Sequence, residues 1–537
     1  MEGVVFDCSD ASSTGSAEGC QWELDIDPSV NGVNTEMDVV VTAESPECLQ
    51  QEICSDADGG IFFEESMSSG SSMSVVTDPD AELNGADCDC SAGDTVATDE
   101  RISTLVSAFR AGVFMVEFLQ QSFGEHHLRQ SSLNWLHLFS SQCSGIASAE
   151  QAYHVLEASL EAVLGWPKQW QQASVCEINA KCIDILKKKV PDDCCIFMDI
   201  FESVPASWDS KLGPAPTIQE RWEALCSAWQ GNIKLKCRAH GGLCRQKKST
   251  LNVAGTPCQP WSRCGKKLGG NDRRSDVTLA WLCWLLHAQP AVAIHENVVG
   301  FDSSIITTCV GSLYSVIILP VKPGNAGFVF AGRPRQFAVL VRKDLVITHD
   351  MLRVLHAASE YINKRVGCSQ VSACMAVTSD EERLQCENKA RKKRGLHPLT
   401  QASDDWSYLL TDKQRQYLKN YIHCWTSSSG LEHPPALFPD DLLMNLAQDP
   451  LVRPGTFRYM PTLRASGNIL WSPAKKRWML ESELALAMGW PRVQAVASAA
   501  SMPVDNFDYS VSQLGNSMHV YSVTLVLAVA LACTKQV

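Results

Sequence analysis

Four short segments of the chain hold residue types that could act together in a covalent reaction. The first is Gly255-Thr256-Pro257-Cys258-Gln259-Pro260-Trp261-Ser262. A cysteine there is suited to covalent catalysis because its thiolate both attacks and leaves readily. The second, His295-Glu296-Asn297-Val298, sets a carboxyl 38 residues after that thiol, and a carboxyl can hold or deliver a proton. The third, Gly332-Arg333-Pro334-Arg335, offers two guanidinium groups for charge that develops during reaction. The fourth is Gln513-Leu514-Gly515-Asn516-Ser517, close to the end of the chain. Taken singly, each has a plainer reading. Cys258 would be a buried structural thiol, and Glu296 with Arg335 would be a surface ion pair.

The elements around these segments favour the chemical reading. Hydrophobic periodicity predicts helices at 105–123, 150–164, 180–189 and 278–287, and strands at 133–139, 173–177, 194–198, 251–254, 291–295 and 336–341. Strands alternating with helices, each strand a continuous apolar run, predict a mostly parallel, doubly wound sheet. Ligands of such sheets sit beyond the carboxyl ends of the strands. Cys258 and Glu296 each fall just after a predicted strand, and Arg335 just before one.

Pro-Cys-Gln, Glu-Asn-Val, Arg-x-Arg and Gly-Asn-Ser, in that order, resemble the cytosine-C5 DNA methyltransferase family, here as a divergent member. The resemblance covers roughly residues 133–532 and is thin between 345 and 460. It implies methyl transfer from S-adenosylmethionine to cytosine C5 in DNA. Cys258 would add to C6 of a flipped base, since attack at C6 and transfer at C5 use opposite faces of the ring. Glu296 would hydrogen-bond N3 and the exocyclic amine. Arg335 would hold the O2 side, and Arg333 would brace Glu296 or the flipped nucleotide. Gln259, Ser262 and Arg263 would meet nucleic acid. Lys266, Lys267, Arg273 and Arg274, in the loop beyond them, would meet phosphates.

The same resemblance implies a cofactor half built from Phe139, Gly145, Glu177, Asp199, Ile200, Pro257, Asn516 and Ser517. Glu177 would bind the ribose hydroxyls and Asp199-Ile200 the adenine. The plainer reading of Glu177 and Asp199 is helix capping. The first turn departs from the family. It reads Phe139-Ser140-Ser141-Gln142-Cys143-Ser144-Gly145, with Ser141, Cys143 and Ser144 where glycines are usual. Only glycine takes positive φ freely. Thr256 likewise replaces a more usual proline.

Residues 1–100 contain 24 Asp and Glu and no Lys or Arg, whereas the remaining 437 carry 46 Lys and Arg against 36 Asp and Glu, a net of +10. An acidic, Ser- and Gly-rich segment at 1–98 is expected to be largely disordered and to offer a docking segment for a protein partner. The basic body suits a polyanion. The expected fold class is α/β. It comprises a doubly wound, Rossmann-like methyltransferase sheet, a smaller target recognition domain and the acidic tail. The catalytic domain would span 99–344 and resume at 461–537, with the target recognition region at 345–460. That region includes the basic run at 389–394, a phosphate or import patch or else a solvated helix face. No membrane role is expected, because the longest apolar stretch, 518–533, is too short for a span and reads as a buried helix.

The 23 cysteines show no disulfide framework and read as reduced thiols. Cys237, His240 and Cys244 lie close together, with Cys226 as a fourth candidate ligand. Their spacing fits no familiar zinc motif, so chance proximity is preferred and no metal site is assigned. The DNA reading implies a nuclear protein. Two alternatives are a tRNA cytosine-C5 methyltransferase, which would be cytoplasmic, and a catalytically degenerate nucleic-acid-binding scaffold.

Overall fold

The computed structural model describes residues 98–537, except 168–169, 232–233, 263–264, 266, 452–455 and 465–467. The acidic segment up to residue 97, Arg263 and Lys266 therefore lie outside the described residues.

Two helices, α1 (Thr98–Phe109) and α2 (Ala111–Gln130), open the described chain. Then β1 (Leu138–Gln142), α3 (Ser148–Leu164), β2 (Gln171–Cys176), α4 (Ala180–Lys189) and β3 (Cys195–Phe197) follow as strand–helix repeats. Helix α5 (Ile218–Ala228) and a hairpin of β4 (Lys234–Lys236) and β5 (Leu243–Arg245) are inserted before β6 (Leu251–Ala254). The rest of the sheet region is α6 (Asp276–Ala288), β7 (Val292–Asn297), α7 (Ser304–Val310), β8 (Tyr314–Val321) and β9 (Arg335–Arg342). Seven strands pair in the order β3-β2-β1-β6-β7-β9-β8. β3 to β7 run parallel, and β9 is antiparallel to both its neighbours. Every residue of β6 and β7 is buried, as strands covered by helices on both faces require.

After β9 the chain forms β10 (Leu345–Ile347), α8 (Met351–Val366) and α9 (Ser372–Ala376), which stay against the main layer. Next, α10 (Asp380–Lys392), α11 (Asp412–Ser428), β11 (Leu443–Asn445), β12 (Thr456–Phe457), β13 (Leu470–Ser472) and β14 (Arg477–Trp478) build a smaller layer. Its separate core includes Trp406, Tyr421, Met444 and Trp471. Helices α12 (Glu481–Ala487), α13 (Gln494–Ala499), α14 (Val511–Asn516) and α15 (Val520–Ala532) return to the sheet, and β15 (Thr534–Gln536) pairs with β10. All 13 residues of α15 are buried, which identifies the apolar C-terminal stretch as a core helix. Each large apolar side chain enclosed there contributes about 1.5–3 kcal/mol.

Most boundaries shift by one or two residues, and three differences have a local reason. The helix expected at 105–123 is broken at Arg110, where α1 and α2 meet at a 54° bend. The strand expected at 133–139 begins only at Leu138, because the Ser131 hydroxyl accepts from Leu133 N and starts a short 3-10 turn. The strand expected to stop at His295 runs to Asn297, because β9 supplies partners for Glu296 and Asn297.

Candidate active site

The loop after β6 carries Cys258. Gly255 opens it in close quarters: a Cβ there would lie 2.8 Å from Met518 Cε, the mobile end of a side chain that would have to shift, and 3.7 Å from Glu296 Oε2. This close approach brings together the ends of β6 and β7 and the start of α15. Cys258 is half-buried, and its carbonyl accepts from Trp261 N (3.0 Å) and Ser262 N (2.9 Å), curling the loop back on itself. Trp261 packs edge-on against Phe301, with ring centroids 5.1 Å apart. The turn is thus anchored on both sides of the thiol.

Beneath the loop lies a polar network that sequence reasoning missed. The Thr256 hydroxyl is 2.7 Å from His295 Nε2 and 2.8 Å from Thr278 Oγ1. Asn297 Nδ2 donates to Thr256 O at 3.3 Å. Burial drives His295 down to about 3, so its imidazole is neutral, and it stacks on Trp281. Thr256 is therefore the hub joining the Cys258 loop to β7. Its hydroxyl does a job that proline would leave undone. The only sequence clue is that departure.

Glu296 and Arg335 meet because of strand register. Glu296 pairs with Phe337 across the antiparallel β7–β9 ladder, so Arg335, two residues earlier, is its diagonal neighbour on the same face. Arg335 Nε sits 2.9 Å from Glu296 Oε1, and both side chains are about nine-tenths buried. The pair is close without being an aligned hydrogen bond, for Glu296 Oε1 has no donor in bonding geometry. Arg335 Nη1 also donates to Pro334 O at 2.7 Å. A carboxylate oxygen held in place yet lacking an aligned donor is suited to receiving one from a ligand.

The resemblance implies that Arg333 braces Glu296 or the flipped nucleotide; in the structure its guanidinium bonds to backbone carbonyls instead of Glu296. Both of its Nη atoms reach Gly515 O at 3.2 Å, and Nη1 approaches Leu463 O at 3.5 Å. Arg333 is buried, and burial with the neighbouring Arg335 lowers it to about 9, opposed by Glu296 and Cys258. It remains a cation at neutral pH and ties the returning chain to the start of β9.

The residues expected to form the cofactor half lie largely at the ends of β1, β2 and β3. Cys143 and Ala147 take positive φ (52° and 73°), as Gly145 does (57°). The turn therefore keeps a glycine-like path with side chains upon it. The serines that replace glycines are bonded inward. Ser141 Oγ lies 2.6 Å from Ser144 Oγ and also donates to Glu150, which accepts from Gln172 Nε2 at 3.2 Å. Ser144 Oγ accepts from Cys176 N at 3.2 Å. Glu150 is wholly enclosed, and burial raises its carboxyl above the usual range. Sequence reasoning did not single out Glu150 or Gln172.

Glu177 accepts from Gly145 N and Asn179 N, both at 2.8 Å, fastening the turn to the start of α4. Burial raises its carboxyl against the pull of these amides. Each oxygen keeps a lone pair for a further donor. Asp199 accepts from Phe201 N at 3.0 Å and caps the short helix after β3, with Ile200 half-buried beside it. Burial, with the charges of Glu177 and Asp199, pushes the Cys143 thiol up to about 12. Phe139 is a correction. It is fully enclosed in β1 and stacks on Tyr153 at 4.8 Å, so it faces α3 rather than a cofactor. Pro257 is half-buried, Asn516 is exposed, and Ser517 is buried with its hydroxyl donating to Leu514 O at 2.8 Å.

Of the nucleic-acid candidates, Gln259 is exposed and Ser262 half-buried. Two of the proposed phosphate contacts are engaged elsewhere. Arg273 pairs with Asp209 (2.6 Å) and Asp276 (3.0 Å), and Arg274 with Asp272 (2.5 Å). In the basic run at 389–394, Arg391 donates to His397 O and Tyr408 Oη, and Lys389 faces Glu481. Cys237, His240 and Cys244 do come together. Their fourth neighbour is Cys195 rather than Cys226, which packs against Cys283 with sulfurs 3.3 Å apart.

Residues 220–528 match the family model described as C-5 cytosine-specific DNA methylase. The type II methyltransferase M.FnuDI of Fusobacterium nucleatum is 34% identical over 110 residues, which are 19% of this chain and 32% of that enzyme. The chain thus aligns with about a third of the length of this curated relative. The S. pombe Dnmt2 methyltransferase structure is similar at 14% identity, covering 74% of this chain and 98% of that one, with a TM-score of 0.37. A structure described as a DNA modification methyltransferase encoded within an E. coli prophage is 12% identical, covering 73% and 97%, with a TM-score of 0.38.

Proposed function

The chain belongs to the C-5 cytosine-specific DNA methylase family, and from that premise we propose that it methylates cytosine C5 in DNA through a covalent Cys258 adduct. The observation that carries this reading is the approach of the Cys258 loop, through Gly255, to Glu296 of the Glu296–Arg335 pair at the ends of adjacent strands. Cytosine C5 is too weak a nucleophile to take a methyl group unaided. Addition of the Cys258 thiolate at C6 makes C5 enamine-like. Glu296 serves N3 and the exocyclic amine and holds the proton that the ring nitrogen gains. Arg335 keeps that carboxyl in register and faces the O2 side, where charge develops. Arg333 positions the segment that carries Asn516 and Ser517. Loss of the C5 proton and expulsion of the Cys258 thiolate then restore the ring.

The strand ends fit S-adenosylmethionine: the Glu177 carboxylate stands beside Gly145, which faces open space on its Cβ side, and Asp199 follows the end of neighbouring β3. Glu177 would hold its ribose and Asp199-Ile200 its adenine, with Pro257 and Asn516 completing the site. When bound, it supplies the electrophilic methyl group. Gln259 and Ser262 would meet the DNA, and the layer from α10 to β14 would read its sequence. This reading carries a nuclear location with it.

The test is transfer of labelled methyl to duplex DNA and, in parallel, to total tRNA, with Cys258→Ala as control. Label recovered as 5-methylcytosine in DNA, absent with Cys258→Ala, is expected. DNA carrying 5-fluorocytosine should trap the protein covalently, because fluorine cannot leave as the proton does. Methylation that survives Cys258→Ala would refute the mechanism, and label in tRNA alone would refute the substrate.

A further inference from the structure

The inserted hairpin raises a question of stability. β4 and β5 are three residues each, and an isolated two-stranded hairpin is marginal in water. Its apolar contribution is small: Leu235 and Cys237 join a minor cluster with Cys176, Cys195 and Phe197. Yet it is laid in a fixed way on the edge of the main sheet, with Arg238 N donating to Ile196 O of β3 at 2.7 Å.

At that junction four side chains converge. The ligand atoms of Cys195, Cys237, His240 and Cys244 all lie within 4.8 Å of one another. His240 Nδ1 is 3.4 Å from Cys237 Sγ, 3.4 Å from Cys244 Sγ and 3.7 Å from Cys195 Sγ. A tetrahedral zinc with bonds of about 2.3 Å to sulfur and about 2.05 Å to nitrogen separates S from N by roughly 3.6 Å. The three distances straddle that value. The other ring nitrogen is also accounted for: His240 Nε2 lies 3.2 Å from Asp192 O. An Nε2–H donated to that carbonyl leaves Nδ1 as the lone pair aimed at the sulfurs, the outer bond a metal-bound imidazole needs.

We propose that Cys195, Cys237, His240 and Cys244 form a structural zinc site that pins the inserted hairpin to the sheet edge. Four protein ligands close the coordination sphere, so the ion has no open position for catalysis. Binding releases one proton from each thiol, leaving a centre of net charge −1. The segment from Lys234 to Lys248 matches that charge, carrying six Lys and Arg and no Asp or Glu. Cys237 and Cys244 flank a turn through Gly241, whose positive φ (68°) reverses the chain and points both sulfurs inward. Cys195 comes from an element far upstream in sequence. The ion therefore fastens the hairpin to β3, four residues before Asp199.

The full chain, purified under reducing conditions without chelator, should hold roughly one zinc per molecule by elemental analysis. Replacement by Co2+ should give the intense visible absorption of a tetrahedral thiolate site. The double variant Cys237→Ser/Cys244→Ser should lose the metal, whereas Cys226→Ser should keep it. Hydrogen exchange on the wild-type chain guards against a variant that simply fails to fold. A strong chelator should expose amides 234–245 while those of β6 and β7 stay protected. Folded wild-type protein that takes up no zinc, zinc retained by the double variant, or a disulfide among the three cysteines would each overturn the proposal.

Discussion

Arg333 is the residue whose role the structure changes most, and replacing it by alanine separates the two accounts of it. In the structure its guanidinium donates to Gly515 O through both Nη atoms at 3.2 Å, with a weaker approach to Leu463 O at 3.5 Å. A bond from a charged donor contributes about 1.5–3 kcal/mol, and an orphaned buried carbonyl costs a similar amount. The two forks share one acceptor, so the contributions overlap and count once. Removing a buried cation that Arg335 already disfavours offsets part of the loss. We expect Arg333→Ala to lose about 2–3 kcal/mol of stability and to weaken cofactor binding, because Gly515 leads directly into Asn516 and Ser517. The chemical step at saturating cofactor should slow less than about tenfold, which is about 1.4 kcal/mol. Thermal melts, calorimetric cofactor titration and single-turnover methyl transfer read these effects separately. A variant with wild-type melting and cofactor affinity but a chemical step slowed a hundredfold would refute the tethering role and return Arg333 to the flipped base.

Four further perturbations test the first turn and the buried polar groups. Cys143→Gly should be neutral or stabilise by up to about 1 kcal/mol in denaturant titration, as relief of a left-handed φ (52°) outweighs glycine's entropy. Ser141→Gly, which restores the usual residue, should instead destabilise by about 1–3 kcal/mol, because it strips a donor from buried Glu150. A gain in stability with Ser141→Gly would count against the network. Burial raises the Glu150 carboxyl, so its contribution is fully present below the ordinary carboxylate range and fades as pH rises through the raised value. Unfolding free energy should therefore fall more steeply with pH in wild type than in Glu150→Gln, and parallel profiles would disprove this. Finally, a Glu296→Gln and Arg335→Gln cycle should show coupling above about 1 kcal/mol in single-turnover rates; additive effects would mean that the pair does not act as a unit.

Much of this was legible in the chain. Strand–helix alternation predicts the parallel half of the sheet, and the Cys258 and Glu296 segments fall at its strand ends because each strand announces itself as an apolar run. What escaped depends on pairing between distant elements. The antiparallel return of β9 extends β7 and puts Arg335 diagonal to Glu296, and no local pattern encodes that register. Arg333 is only two residues from Arg335 in sequence yet turns to a carbonyl near the C-terminus. Phe139 sits in the expected motif, but only the packed helix α3 shows that its ring is consumed by Tyr153. Cys195 looks like one of many core thiols until the hairpin folds over it.

The same logic explains how a glycine-poor first turn can persist in this fold. Glycines there normally serve close backbone approach and positive φ. In this chain the left-handed path is kept by Cys143, Gly145 and Ala147. The extra atoms at Ser141 and Ser144 are not left to crowd the site, since they bond to each other, to Glu150 and to the backbone of Cys176. A buried carboxyl beneath the turn is costly; here it is the acceptor that draws those hydroxyls down and away from the strand ends. Thr256 repeats the pattern beside the nucleophile, with a hydroxyl in place of a ring and His295 and Thr278 to receive it. In both places, loss of a conformationally special residue comes with a buried hydrogen-bond network. The departures at Ser141, Ser144 and Thr256 are therefore better understood as coupled sets, and single reversions there toward the family pattern should cost more than they return.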